Sequence, residues 1–238
     1  MAQRTEVTRL RDLDGNNVAD EYLTAASGWN VSGAYSGYTY GQVRDSDGRL
    51  WITTNIDMEN LTDNDAAWRG WALTLNEDGS LAPQAGGMRS PSGLGTNLEG
   101  DIFYSDQQGT WMPATSINRL RKGAFYGNPS GMASQNLPGS PIHMHLDLPE
   151  EILYPQALDK IPELVPQAVW LTYNKIGRSA TNIQVIDQQG RFGPFDPGIS
   201  LLNLEQHCDC LTFTARWWLK TPEVKNRAFT NIVQLRNT

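Results

Sequence analysis

Apolar and polar positions alternate along much of the first half of the chain, and the alternating runs are short. Tyr38-Thr39-Tyr40-Gly41-Gln42-Val43 is one. It is followed by the turn Asp45-Ser46-Asp47-Gly48 and then by Arg49-Leu50-Trp51-Ile52-Thr53. The run Trp68 to Leu75 leads through Asn76-Glu77-Asp78-Gly79 into Ser80-Leu81, and Asn97-Leu98-Glu99-Gly100 opens onto Asp101-Ile102-Phe103-Tyr104-Ser105. A fourth turn, Asp187-Gln188-Gln189-Gly190, precedes Arg191-Phe192. Period-two alternation places successive side chains on opposite faces of a strand. Asp and Asn close tight turns through their own side chains, and glycine accepts positive φ at the turn's end. The pattern therefore predicts consecutive antiparallel strands over residues 36–109, turning at Asp47-Gly48, Asp78-Gly79 and Glu99-Gly100.

Two stretches break this rhythm. From about Gly127 to Pro166 prolines are frequent and strand signals few, which predicts a long irregular insertion with a helical turn near Pro155–Lys160. From Ser200 to Thr238 no turn glycine occurs, and this tail is left unassigned. The expected architecture is all-β: a partial or open β-propeller of about three to four blades over 1–199, with the loop insertion at about 127–166 and a divergent tail at 200–238.

Composition narrows the partners. The 19 basic and 26 acidic residues give the chain a net charge of −7, which disfavours a nucleic-acid backbone as ligand. No apolar run has the length of a membrane span, and the N-terminal MAQRTEVTRLRDLDG carries no apolar export core. The two cysteines, Cys208 and Cys210, are one residue apart and match no C-x-x-C-H haem attachment.

Several ordered motifs make a more specific pattern. Val7 to Tyr22 resembles "LTxLxDxDGDGxADxYE", Arg69 to Gly79 resembles "RGWxLxxxxDG", and Gly87 to Gly109 resembles "GxRSPxGxGxNxxGDxFYxDxQG". Pro166 to Thr181 and Phe192 to Phe195 resemble "PxAVWxxYxKxGxSAT" and "FGPF". These motifs resemble the membrane-bound dehydrogenase propellers of the glucose/sorbosone-dehydrogenase-like group, which often carry c-type haem modules. The resemblance runs from about Val7 to Phe195. It implies a quinoprotein-type sugar or alcohol dehydrogenase propeller, with pyrroloquinoline quinone (PQQ) and calcium as cofactors and a periplasmic or extracellular location. In that group Arg89 and Ser90 fall where an arginine and an asparagine approach the quinone.

The sequence departs from the group where it matters for catalysis. Ser36-Gly37 stands in place of the His-Glu pair of "GNYHEY", and no histidine precedes His143. Upstream and downstream blades, an export signal and a haem domain are absent from these residues, so the chain reads as a fragment. Three roles follow as expectations. It is part of a sugar-oxidising propeller that is not catalytic alone, a propeller module that binds a glycan or a neighbouring domain, or a truncated gene product.

Individual candidates carry two readings each. The guanidinium of Arg89 offers a planar fork of donors to a quinone or carboxylate, but an Arg-Ser pair also ties adjacent loops together. Asp12, Asp14, Asn16 and Asp20 present oxygens at spacings that suit calcium, or form an Asx-type hairpin turn. His143 and His145, with Asp147, would share a face that suits a metal if they lay on a strand, but the prolines around them point to a loop; His207-Cys208-Asp209-Cys210 has metal-binding chemistry. Trp51, Trp68, Trp71, Phe103 and Tyr104 are expected to fill the space between sheets rather than stack on sugars.

Overall fold

A computed structural model describes residues 1–31, 36–56, 67–97, 99–109, 111–145, 151–172, 180–185, 200–207, 210–218 and 228–236. The first two strands, β1 (Glu6–Arg11) and β2 (Glu21–Ser27), form a two-stranded ribbon. Three four-stranded antiparallel sheets follow. The first is β3 (Thr39–Arg44), β4 (Leu50–Thr54), β5 (Ala72–Leu75) and β6 (Leu81–Ala85), paired in that order. The second is β7 (Gly93–Thr96), β8 (Ile102–Asp106), β9 (Thr115–Arg119) and β10 (Val169–Leu171). The third is β11 (Ala180–Val185), β12 (Ser200–His207), β13 (Cys210–Trp218) and β14 (Ala228–Arg236). Each sheet is an up-and-down meander, the topology of a propeller blade.

The expected turns form as the sequence pattern requires. Gly48 donates its N–H to Asp45 O, Gly79 to Asn76 O and Gly100 to Asn97 O, and all three glycines hold φ near +80°. Asp45 also accepts the N–H groups of Asp47 and Arg49 at its side chain, so the turn is closed twice. The run from Trp68 behaves differently from expectation. Only Ala72–Leu75 is strand, while residues 67–70 make a turn with Trp68 at φ +60° and Gly70 at φ +75°. The reason is Arg69, whose side chain is turned inward. It is 3% exposed and donates to Asn30 O (2.6 Å), Tyr38 O (2.9 Å) and Arg4 O (3.0 Å). A buried cation requires such acceptors, and the turn is what delivers it to them. Trp29 Nε1 donates to the same Arg4 carbonyl at 2.9 Å, so the N-terminal segment is fastened to the first blade.

The innermost strands lie side by side. On Gly41 of β3 a Cβ would meet Leu94 of β7, and on Gly95 of β7 it would lie 2.5 Å from Ile183 O of β11. Between the blades, apolar side chains interlock. Trp51, Ala85, Met88, Ile102 and Tyr104 form one cluster, and Phe103, Ile117, Val169, Leu171 and Ile183 the next. Trp51, Trp68, Trp71, Phe103 and Tyr104 are all under 9% exposed, and thus belong to the core as expected. The insertion is core as well as loop. It holds a 3₁₀ helix at Pro129–Asn136 and a short α-helix, α1 (Tyr154–Lys160), at the expected helical turn. Just before it, Phe125, fully buried, bridges Gly86 on one side and Leu164 on the other. The tail from Ser200, left open by the sequence, supplies β12, β13 and β14 of the third blade. The turn at Asp187–Gly190 and the Phe192–Phe195 motif lie outside the described residues.

The approach of β7 to β11 at Gly95 sets a testable expectation. Gly95→Ala should destabilise the fold by about 2–3 kcal/mol through overpacking against the Ile183 backbone, read as a lower urea midpoint at unchanged slope. An unchanged midpoint would mean that the two blades do not pack here.

Candidate functional site

In a meander blade the connection from one blade's outer strand to the next blade's inner strand shares an end with the loop between the second and third strands. That topology brings the β6–β7 connection, residues 86–92, beside residues 107–109 and 111–114 between β8 and β9. Arg89 and Ser90 lie in the first loop, and Gln107 and Gly109 in the second.

The β6–β7 loop is held on every side. Met88 N–H donates to Gly70 O at 3.0 Å, Ile56 N–H to Arg89 O at 2.9 Å, and Asn128 N–H to Gly87 O at 2.9 Å. Thr53 Oγ1 donates to Pro91 O at 2.8 Å. Two further amides of the loop converge on one carboxylate. Arg89 N–H donates to Asp106 Oδ2 at 3.0 Å, and Ser90 N–H to Asp106 Oδ1 at 2.6 Å. Gln107 N–H adds a third bond to Oδ1 at 2.9 Å. Asp106 is the last residue of β8 and is 6% exposed. Burial raises its pKa to about 6, while the three amides and the charge of Arg89 pull it back down.

The two residues singled out from the sequence thus have different fates. Ser90 is 8% exposed and its amide is committed to Asp106, so it is part of the scaffold. Arg89 is half-buried, and its Nη1 donates to Gln107 Oε1 at 2.9 Å. Among the described residues, its Nε and Nη2 have no protein acceptor. Tyr40 of β3 stands nearby. Burial, with Tyr38 and Asp106, pushes its phenol up to about 12, so it stays protonated and can donate. A half-exposed guanidinium with open donors, beside a neutral phenol, suits a planar oxyanion.

The acidic turn is the tip of the β1–β2 ribbon. One carboxylate oxygen each from Asp12, Asp14 and Asp20 lies within 4.8 Å of the others, and all three residues are exposed. These carboxylates also close the turn. Asp12 accepts Gly15 and Asn17 N–H, Asp14 accepts Asn16 N–H, and Asp20 accepts Leu13 N–H. The N–H of Asn17, above all, holds the Asp12 carboxyl below its usual range. Asn16 stands beside them: its Nδ2 donates to Asp14 Oδ2 at 3.0 Å, and its Oδ1 accepts Val18 N–H at 2.7 Å. His143 and His145 are both exposed, with Met144 buried between them, in a segment that is loop and not strand; Asp147 lies outside the described residues. Cys208 and Asp209 also lie outside them.

Asp106 and Arg69 carry the geometry, and sequence reasoning passed over both as site residues. A carboxylate ending the buried run Ile102–Ser105 was the available signal for the first. An arginine between Trp68 and Gly70-Trp71 was the signal for the second.

Ser36-Gly37 also has a structural explanation. Ser36 is 5% exposed, and a Cβ at position 37 would lie 3.2 Å from both Arg4 Nη2 and Val31 Cγ1. A side chain at position 37 would therefore require Arg4 and Val31 to give by a few tenths of an ångström.

The raised pKa of Asp106 has a defined consequence for stability. A group whose pKa rises from 3.8 to about 6 on folding contributes stability that is complete below pH 3.8 and is lost as pH climbs through 6. The change is on the order of 3 kcal/mol. Asp12, Asp45 and Asp78 are shifted downward and act in the opposite sense, losing their contribution only as pH falls below 3.8. Thermal unfolding should therefore show maximal stability near pH 4–5 and a decline toward pH 7. Asp106→Asn should flatten that decline; a profile rising steadily from pH 4 to 7 would contradict the assignment.

No family model matches the sequence, and no curated protein matches it. Solved structures do. A glucose dehydrogenase shares 15% identity over 94% of this chain and 62% of its own, with a TM-score of 0.60. The PQQ-bound aldose sugar dehydrogenase of Streptomyces coelicolor shares 14% over 95% of this chain and 58% of its own, at 0.55. An oxidoreductase (glucose dehydrogenase) of Thermus thermophilus shares 17% over 98% of this chain and 62% of its own, at 0.60. The chain thus spans about three fifths of the length of these proteins. Together with the three blades described above, the likeness establishes the fold: this chain is an open part of a β-propeller of the architecture seen in these sugar dehydrogenases.

Proposed function

We propose that this chain forms the quinone-binding part of a propeller related to sugar and alcohol dehydrogenases, and that it binds without turning over alone. The observation that carries this reading is Arg89, held at a blade junction with Nε and Nη2 open. PQQ, which the Streptomyces coelicolor protein binds, is a planar tricarboxylate, and the open guanidinium fits one of its carboxylates. When bound, such a quinone supplies a hydride acceptor. The chain's own part is to orient it: Arg89 fixes a carboxylate, Gln107 fixes Arg89, and Tyr40 offers a neutral donor.

Turnover needs a base for the substrate hydroxyl, and residues 36 and 37 supply none. The absence of a positioned base costs about a hundred- to ten-thousand-fold in rate. The acidic turn at Asp12, Asp14 and Asp20 is proposed to hold calcium, with Asn16 beside it. A sugar or alcohol is the proposed substrate class, with further blades or a haem domain as electron-accepting partners and an exported compartment as location. A second reading, a glycan-binding module without chemistry, is favoured by the closed packing at Gly37.

Two measurements test these readings. PQQ should quench the intrinsic fluorescence of the purified chain, with binding weakened at least about tenfold in Arg89→Ala, the worth of a charge-assisted hydrogen bond. Dye-coupled oxidation of common sugars should stay at background. Robust sugar-dependent reduction abolished by Arg89→Ala would instead establish an enzyme complete in itself, and glycan binding without quinone binding would establish the module. By calorimetry, calcium binding should be lost in Asp14→Ala; unchanged binding would remove the turn as its site.

A further inference from the structure

Asp106 does more than close a loop. Its carboxylate is buried at the end of β8, bonded through Arg89 N–H, Ser90 N–H and Gln107 N–H. These are backbone dipoles, and no cation forms an ion pair with it among the described residues. The guanidinium of Arg89 reaches past it to Gln107 Oε1. One buried negative charge therefore bonds the backbone of the residue that carries the open cation of the site, and the two charges act on each other.

The charged and titratable groups facing Asp106 come from three elements: Arg89 from the β6–β7 loop, Tyr40 from β3 and Tyr104 from β8. Burial raises the pKa of both tyrosines, so both are neutral through the physiological range. From β9 the residue directly opposite is Ser116, which carries no charge. The local balance is thus set by two groups, Arg89 at +1 and Asp106 at −1.

We infer that Asp106 is a positioning residue that couples oxyanion binding at Arg89 to the uptake of one proton. The inference rests on the proposed role of Arg89 and adds its regulation. An oxyanion that docks on Nε and Nη2 meets a site of zero net charge while Asp106 is ionised, and a site of +1 once Asp106 is neutral. It binds the neutral form better, and by linkage its binding favours protonation. The proton comes from solvent and goes to a carboxylate oxygen of Asp106. The loop keeps its place in the protonated state, because the neutral carboxyl still accepts amide N–H groups and the bonds with Thr53, Ile56, Met88 and Asn128 are unaffected. An Asp106 pKa already near 6 puts the transition within the range where most proteins stay folded.

The test is PQQ affinity from pH 5 to pH 8, with calorimetry at pH 6.5 in two buffers of different ionisation enthalpy. The expected result is affinity about tenfold higher at pH 5 than at pH 8, one pKa unit of coupling, and net proton uptake on binding. In Asp106→Asn, binding at pH 8 should approach the wild-type value at pH 5, with the pH slope gone. Binding without proton uptake, or a slope that survives in Asp106→Asn, would overturn the proposal. If PQQ binds at no pH, the quinone reading fails by itself. Sulfate, followed by the Arg89 Nε–H resonance, then replaces PQQ as probe, and absence of the same slope overturns the coupling. Should Asp106→Asn fail to fold, carbon-detected titration of the Asp106 carboxyl in the wild type and in Arg89→Gln decides. Loss of the cation should raise its midpoint by about one unit, and an unmoved midpoint would contradict the coupling.

Discussion

A single carboxylate accepts the amides that would otherwise be left without partners where one blade hands over to the next. The β6–β7 connection must leave one sheet, cross to the inner strand of the next and keep its peptide groups satisfied in a largely buried place. Asp106 takes the N–H groups of Arg89 and Ser90, and the neighbouring carbonyls are met by Thr53, Ile56 and Asn128. An apolar residue at 106 would leave three amides without acceptors, each costing about 1–3 kcal/mol. A carboxyl is accepted in the core because these amides need its oxygens as acceptors.

The same constraint places the chemistry. Once the backbone of residues 87–91 is fixed from every side, the Arg89 side chain can leave in few directions, and Gln107 Oε1 defines where it arrives. The blade junction and the binding site are therefore one structure rather than competing descriptions of it. Asn128 shows how far the dependence reaches. It belongs to the long insertion, yet its N–H meets Gly87 O, so the insertion helps to set the loop that carries Arg89. At the same end of the first blade, where Gly70 O accepts Met88 N–H, Arg69 performs a similar office with its sign reversed, a cation gathering the carbonyls of Arg4, Asn30 and Tyr38.

Local chemistry was legible in the sequence, and long-range chemistry was not. The Asx-Gly turns at residues 45–48, 76–79 and 97–100 are decided by side chains two to four residues apart, so the strands on either side of them were readable. The helical turn at Tyr154–Lys160 was readable for the same reason. Trp68–Gly70 looks like strand by alternation. It is a turn because Arg69 seeks carbonyls contributed by residues 4, 30 and 38, which no local pattern reveals. The tail from Ser200 lacks turn glycines and was left unplaced, although β12, β13 and β14 complete a blade; pairing with β11 is a tertiary fact. At the site, Arg89 was found through its motif. Ser90 stands in the same motif, and the bond of its amide to Asp106 is a tertiary contact that the motif does not show. Asp106 stood in the same motif but was not picked out, since its partners lie sixteen and seventeen residues back.

Amide hydrogen exchange at Arg89 and Ser90 tests this account most directly. If Asp106 locks the junction, both amides exchange as slowly as those of the paired strands β7 and β8 at pH 7, despite lying in a loop. Exchange at the rate of an open loop, while β7 and β8 remain protected, would contradict the central claim that this carboxylate fixes the junction and aims Arg89.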